Sequence, residues 1–438
     1  HMFRVSGVVS GSITPLIISI NDQQQEIQYG SYAFDLVKGT EFSLSVSAVA
    51  QDQYCVFNES NFTLGSDVTN LNIECFNSVR LSELLPNIPD INLRACLANT
   101  PSTYAHQVLS LYCIDQNIES IEGLEALTRL IELDLRRNRL TSANFNANIA
   151  LTVLRLYDNN LNSVDLSTNA ALRTLDLGSN QLASLNINNN TALLDLNLSF
   201  NQLTNLDLSA HTSLEKLNLY ANRLPSMDLS ANTTLKELNL GDNSLVSMDL
   251  SAHTALQDLC LSYNQLTNLD LSVNSALKSL KLESNNLTRV NLSANTELMT
   301  LDLSWNPLIN LDISANMALR DLSLRGNQLT SIDLSANSVL GTLRLQGNQL
   351  ANLDLSTNTA LAWLYLANNQ LTTMDLSTNT ALVGIFISDN QLTSVDLRTQ
   401  TRLAQLSLKN NQLTSVDLSN HDGLWNLILS GNKLTQVP

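Results

Sequence analysis

From Leu130 onward a leucine returns every 21 residues, at Leu151, Leu172, Leu193 and so on to Leu424, fifteen starts without a break. With each start as offset zero, offset eight is asparagine in all fifteen repeats, from Asn138 through Asn285 to Asn432, and offsets three, five and ten are always Leu or Ile. One such unit holds about six inward apolar residues and cannot bury them alone, so neighbouring units must stack into a solenoid. Leucines at offsets three and five are separated by one residue, the spacing of a strand that points both to the same side. The asparagine turns the chain out of that strand, and its amide can bond backbone groups of the adjacent coil. Offsets thirteen and fifteen are apolar again, as in Val164/Leu166, Leu269/Leu271 and Met374/Leu376, so a second, short convex strand is expected instead of a helix. At roughly 4.8 Å per layer the repeats make a rod on the order of 70 Å long.

The chain ahead of the repeats has two other textures. Residues 3–76 alternate apolar and polar in short runs (Leu16, Ile18, Ile20; Phe34, Leu36; Phe42, Leu44, Val46; Leu71, Ile73), punctuated by Gly7, Gly11, Asn21-Asp22, Gly30 and Gly39. Short strands with regular turn signals indicate a small β-sandwich. Residues 77–129 read as a helical cap followed by an irregular first repeat, Leu111 to Leu127, with Cys113 at a core position and Gln116 replacing the asparagine. Within the cap, Asp90 stands as N-cap before Ile91-Asn92-Leu93-Arg94-Ala95-Cys96-Leu97, and Pro101 limits the helix. The array of fifteen repeats, the last incomplete, occupies 130–438. Cys55 with Cys75, and Cys96 with Cys113, form two close pairs that suit disulfides in an oxidising compartment, against four unlinked buried thiols. Cys260 lies alone within the array, where a passenger thiol is weighed against a reactive one.

Leu-x-x-Leu-x-Leu-x-x-Asn-x-Leu resembles the leucine-rich-repeat signature, and its 21-residue form with a second Leu-Asp-Leu half is similar to the IRREKO subclass, known mainly from bacteria. The entry segment Ile88-Pro89-Asp90-Ile91-Asn92-Leu93, with Ile121-Glu122-Gly123-Leu124 after it, resembles the cap and first repeat of internalin-like surface proteins. Val5-Ser6-Gly7-Val8-Val9-Ser10-Gly11 and Leu64-Gly65-Ser66-Asp67-Val68-Thr69-Asn70-Leu71 look like a small Ig-like domain found near the N-terminus of proteobacterial surface lipoproteins. These resemblances imply a surface-exposed binding protein and leave the ligand open.

Chemistry is sparse. The sequence carries no Gly-rich phosphate loop, Cys-x-x-Cys pair or nucleophile motif, so no enzyme and no cofactor is expected. His211, His253 and His421 share offset eighteen with asparagines and read as members of a second polar ladder. His211 and His253 lie two coils apart, roughly 10 Å, too far to share a metal ion. The net charge of −17 argues against nucleic acid and anionic membranes. Much of it comes from offset fourteen, which is Asp in eleven repeats (Asp165 to Asp417) and Asn at Asn144, Asn186 and Asn291. Carboxylates bonded to nearby backbone or Ser/Thr groups are the expected reading, with a calcium-binding stripe as the alternative.

The array contains ten aromatics, of which Phe145 alone occupies a core offset. Core packing does not explain the others: Tyr157 and Tyr220 at offset six, Phe200, Tyr263 and Trp305 at seven, Trp363 at two, Tyr365 and Phe386 at four, Trp425 at one. Trp363, Tyr365 and Phe386 fall on adjacent layers, with Arg344 one layer before, Lys409 one after and Ile428 two after Phe386. Trp363, Tyr365, Phe386, Arg344 and Lys409, with Trp305 as a further contact, are the candidate ligand-binding residues, because exposed aromatic and Arg clusters carry binding energy. The expected function is a non-enzymatic, adhesin-like binding protein of the cell surface (an outer-membrane lipoprotein) or secreted, recognising a protein or glycan through its strand face. The alternative is a structural spacer or self-associating stalk, since Val437-Pro438 ends the last repeat without a visible cap and another chain could cover that end. His1-Met2 reads as a cloning scar, so a signal or anchor segment would lie outside this sequence. No apolar run is long enough to span a membrane as a helix.

Overall fold

The N-terminal alternation resolves into seven strands: β1 (Met2–Ser10), β2 (Leu16–Ile20), β3 (Gln23–Ile27), β4 (Gly30–Val37), β5 (Leu44–Ala48), β6 (Gln53–Phe57) and β7 (Ile73–Asn77). They come from a computed structural model that describes residues 2–11, 15–20, 23–28, 30–37, 44–48, 53–57, 67–68 and 71–435. Phe42, Gly39, Asn21-Asp22, Leu64–Ser66, Thr69-Asn70, His1 and Val437-Pro438 of the sequence reading lie outside the described residues. By contact density the chain forms two units, 1–140 with 144–152, and 141–143 with 153–438.

In the first unit the strands make two sheets, ordered β4-β1-β7-β6 and β3-β2-β5. Both put every second side chain into one core that holds Val5, Ile18, Tyr32, Phe34, Leu71 and Ile73. The Tyr32 hydroxyl donates to the Leu71 carbonyl, and burial pushes its pKa up to about 12. Cys55 and Cys75 face each other across β6 and β7 and are bonded, and a second disulfide links Cys96 to Cys113. Helix α1 (Leu81–Leu84) and helix α2 (Ile91–Ala98) follow. Asp90 caps α2 as expected: one carboxylate oxygen accepts the Asn92 and Leu93 N–H groups at 2.9 and 3.0 Å. The other accepts the Glu119 and Ser120 N–H groups at 2.7 and 3.1 Å, which fastens the helix to the irregular first coil. Partial burial pushes this carboxyl up, but the four N–H donors together hold its pKa below the ordinary value. Tyr54 of β6 stacks on His106 at 4.8 Å and its hydroxyl meets Thr128 at 3.0 Å, tying the sheet to the cap.

The array supplies sixteen three-residue parallel strands in chain order, two in the first unit and fourteen in the second. β8 (Ser110–Tyr112) pairs with β9 (Glu132–Asp134), and β10 (Val153–Arg155) through β23 (Asn426–Ile428) form the second unit's sheet. The register is strict: Leu154 opposes Leu175, which opposes Leu196, so each offset-three leucine stands on its counterpart one coil away. Leucines at offsets zero, three, five and ten are buried, as at Leu277, Leu280, Leu282 and Leu287, except in the last repeat, where Leu427 is 43% exposed.

Two asparagine ladders hold the coils. Asn180 at offset eight donates to its own coil at Leu177 O (3.0 Å) and to the preceding coil at Leu156 O (3.1 Å). Its Oδ1 accepts the Leu161 N–H at 2.9 Å. At offset eighteen Asn232 donates to Leu208 O and His211 O of the coil before, at 3.0 and 2.9 Å. Two of the histidines bond within this ladder: His211 Nε2 sits 3.1 Å from Ile187 O, and His421 Nε2 3.1 Å from Leu397 O.

The convex side departs from expectation. Offsets thirteen to fifteen form no strand among the described residues. The offset-fourteen side chain accepts the N–H two residues on, as in Ser230 N–H to Asp228 at 2.9 Å, and the offset-eighteen N–H turns back to offset fifteen, as in Asn232 to Leu229 O at 2.8 Å. Donors consumed in such turns are lost to an inter-coil ladder.

Candidate functional site

The outward side chains of the sheet come from offsets two and four, and they divide the strand face by character. Between Arg155 and Lys281 the face is polar and lines a groove of about 620 Å³ with Asp195, Lys216, Glu237 and Asp258. Its charges are largely matched: Lys216 meets Glu237 at 2.6 Å, and beside them on the edge Lys236 meets Glu215 at 2.8 Å. Burial raises the Asp195 carboxyl and Glu237 adds to this, while Lys216 and Arg155 pull it down. At offset four, Asn218 and Asn239 accept the N–H groups of Tyr220 and Gly241, both at 3.1 Å, so these polar side chains are engaged in shaping their own turns. Cys260 is half-buried beside Lys281 of the next strand.

Farther along, the same face becomes aromatic. Thr342–Arg344 (β19), Trp363–Tyr365 (β20) and Gly384–Phe386 (β21) pair in register, so Arg344, Tyr365 and Phe386 follow one another at offset four. Tyr365 and Phe386 stack with ring centroids 4.7 Å apart and planes 3° from parallel. From the opposite side the Arg344 guanidinium covers Tyr365 at 5.4 Å. Trp363 lies nearly parallel to Tyr365, 12° and 6.4 Å away. Both faces of Tyr365 are thus occupied, and the column turns ring edges outward. Lys409 is exposed on the rim at offset six of the following repeat, and Ile428 follows Ser407 two strands beyond Phe386. Trp305 is not part of this group: it precedes Trp363 by nearly three repeats and stands at the sheet edge, under the Arg325 guanidinium at 5.1 Å.

Two further sequence signals bear on these aromatics. A glycine follows four of the rings by one repeat at the same offset: Tyr157 and Gly178, Tyr220 and Gly241, Trp305 and Gly326, Trp363 and Gly384. A Cβ added at Gly326 or Gly384 would run into the tryptophan ring, so each ring lies flat over the next coil because the glycine leaves room. Offset seven is also left-handed in repeat after repeat, with φ of 53 to 60° from Arg137 to Asn410 and glycine at Gly326, Gly347 and Gly431. Phe200, Tyr263 and Trp305 hold this conformation at φ of 54, 57 and 55°, a position that costs an L-residue roughly 1 kcal/mol.

The acidic ladder has a structural occupation. Backbone N–H and hydroxyl bonds from the serine two residues on hold the exposed Asp228 and Asp354 carboxyls below the ordinary value. The Arg398 side chain, then its backbone N–H, takes Asp396 down to about 2. Burial keeps the His211 and His253 imidazoles below their usual pKa.

Among solved structures, the functional domain of InlJ from Listeria monocytogenes, which includes a cysteine ladder, is 30% identical with a TM-score of 0.73, and the match covers 77% of each chain. The chain belongs to the internalin-like leucine-rich-repeat proteins. This internalin-like protein has Cys260 as the single cysteine of its fifteen 21-residue repeats and stacks asparagines instead. It shares its fold at 24% identity with a leucine-rich-repeat protein of Leptospira interrogans (TM-score 0.62, 74% of this chain and 94% of that one). At 24% identity it also shares the fold of the ectodomain of a plant membrane receptor kinase from Arabidopsis thaliana, solved in complex with Casparian strip integrity factor 2 (TM-score 0.59, 74% and 47%). No protein-family model and no curated protein matches the sequence.

Proposed function

We propose that this chain is a non-enzymatic, adhesin-like binding protein of a bacterial surface, lipid-anchored or secreted, that holds a protein or glycan on the strand face of its array. Residues 3–76 then act as an Ig-like module, 77–129 as cap and first repeat, and 130–438 as the recognition array. Two disulfides favour an oxidising compartment. The observation that carries the reading is the column of Arg344, Tyr365 and Phe386 with Trp363 beside it, apolar surface that the leucine core does not need. Its outward ring edges and flanking Lys409 suit the side chains and carbonyl groups of a protein ligand. A receptor ectodomain of the same fold holds its partner in a solved complex, which supports a protein ligand here.

A surface-proteome pull-down and a glycan array identify the ligand, after which Trp363→Ala and Tyr365→Ala are compared with Thr300→Ala on the same face. The aromatic variants are expected to weaken binding by about 2 kcal/mol or more with little change in stability. Equal, negligible losses in all three would move the binding surface elsewhere. Loss of self-association in the aromatic variants, with no foreign ligand found, would favour the self-associating stalk.

A further inference from the structure

A second set of aromatics runs along one edge of the array, outside the strand-face column. Tyr157 and Tyr220 at offset six, and Phe200, Tyr263 and Trp305 at offset seven, span the repeats that start at Leu151 to Leu298. Seven layer steps make this row about 34 Å long. Phe200, Tyr263 and Trp305 are 51, 47 and 48% exposed, so each leaves about half of its surface to solvent. Each sits in a left-handed backbone position that glycine fills in other repeats, so the rings are kept where the fold itself favours their absence. They lean forward along the row: Tyr157, Tyr220 and Trp305 over the glycines one coil on, and Tyr263 toward the Glu283 carboxylate, which raises its hydroxyl pKa. Phe200 meets Tyr220 edge to face at 5.2 Å.

Three features select the ligand. Offsets six and seven carry no Lys or Arg from Tyr157 to Trp305 but include Asp158, Asp242 and Glu283, which repels polyanions; the stretch ends at Arg325, whose guanidinium covers the Trp305 ring at 5.1 Å. Polar side chains (Asp158, Ser179, Asp242, Ser284) stand between the rings, a mixture that pairs apolar ring faces with hydrogen-bonding groups. The row is long and shallow, and its rings recur at whole numbers of layers, roughly 14 Å from Phe200 to Tyr263 and roughly 10 Å from Tyr263 to Trp305. An extended β-linked glycan is a long ribbon whose sugars offer apolar C–H faces and carry hydroxyls around the ring edge. We propose that this edge binds a neutral, extended β-linked polysaccharide, its sugars lying along the array and stacking on the aromatic rings.

The test is calorimetric titration of the full chain with β-1,4-linked hexamers and dimers of glucose, mannose and N-acetylglucosamine, with heparin as the polyanion. At least one hexamer is expected to bind, with its dimer about tenfold or more weaker because it spans fewer rings, and heparin not at all. The triple variant Phe200→Gly, Tyr263→Gly, Trp305→Gly is expected to lose hexamer binding while its melting temperature holds or rises, since glycine suits the left-handed position. Thr300→Ala, on the strand face and outside both aromatic sets, is expected to bind the hexamer as the parent does, which separates this edge from the strand face. No hexamer binding, equal binding by the triple variant, or a lower melting temperature for it would overturn the proposal. A protein ligand lost in the triple variant, with no sugar bound, would make the row a protein epitope and overturn it equally.

Discussion

Removing one rung of the strand-side ladder measures how much of the array's stability the asparagines carry. Asn285 is buried, and its Nδ2 donates to Leu261 O of the preceding coil at 2.9 Å and to Leu282 O of its own at 3.1 Å. Its Oδ1 accepts the Leu266 N–H at 3.0 Å. Asn285→Ala strands three backbone groups in a dry interior. An unsatisfied buried group costs about 1–3 kcal/mol, and partial relaxation of the coils brings the expected total to about 3 kcal/mol. Asn285→Asp keeps the size and the acceptor for Leu266 but aims a second oxygen at two carbonyls. It is expected to cost as much at pH 7 and less in acid, where the introduced carboxyl, its pKa raised by burial, regains a proton to donate. The neighbouring Asn286→Ala, at an exposed position, is the control. Long repeat arrays break two-state behaviour, so urea unfolding should be read together with hydrogen exchange at the Leu266 amide. If Asn285→Ala lies within about 0.5 kcal/mol of the control and leaves Leu266 exchange unchanged, the ladder is not what holds the coils.

Non-reducing peptide mapping should recover Cys55 linked to Cys75 and Cys96 to Cys113, with Cys260 alone alkylated; a different pairing contradicts the fold near the cap. From Asp207 to Asp417 the offset-fourteen carboxyls have folded pKa values below their unfolded ones, so their stabilisation is complete above about pH 4 and fades as pH falls toward the Asp396 value of about 2. Thermal melts from pH 5 to 2 should show that loss, flattened in an Asp228→Asn, Asp249→Asn, Asp270→Asn variant that keeps the turns. EDTA should leave the pH 7 melting temperature where it was, and a drop that calcium reverses would put a metal on the ladder. His211 is depressed by burial, so its contribution is present above about pH 6.5 and declines in acid; His211→Asn should lessen the fall in melting temperature between pH 7 and 5.

What could be read from sequence follows how each feature is encoded. The solenoid and its strand-side ladder were legible because Leu and Asn recur at fixed offsets, and a period leaves only stacking as a way to bury Leu280 or Leu282. The juxtaposition of Trp363, Tyr365 and Phe386 followed from the same arithmetic. The convex segment was misread because Val164/Leu166-type alternation suggests a strand, whereas the intervening Asp165 diverts the Ser167 N–H into a turn. Ring orientation was missed because it depends on what stands one repeat later, as Gly384 does for Trp363. The left-handed offset was missed because Phe200, Tyr263 and Trp305 hide a preference that Gly326, Gly347 and Asn410 reveal.

Both ladders point the same way. Asn180 and Asn232 direct their inter-coil bonds to the coil before them, at Leu156 and at Leu208 with His211. A newly made coil therefore brings its side-chain fastenings to one already in place, and with them satisfies backbone N–H groups, such as that of Leu161, that the earlier coil had left waiting. Such a chain can set as it emerges, N-terminus first, from the Asp90-anchored cap onward. The same polarity makes length an easy variable in evolution, because a coil added beyond the last finds its docking carbonyls already waiting.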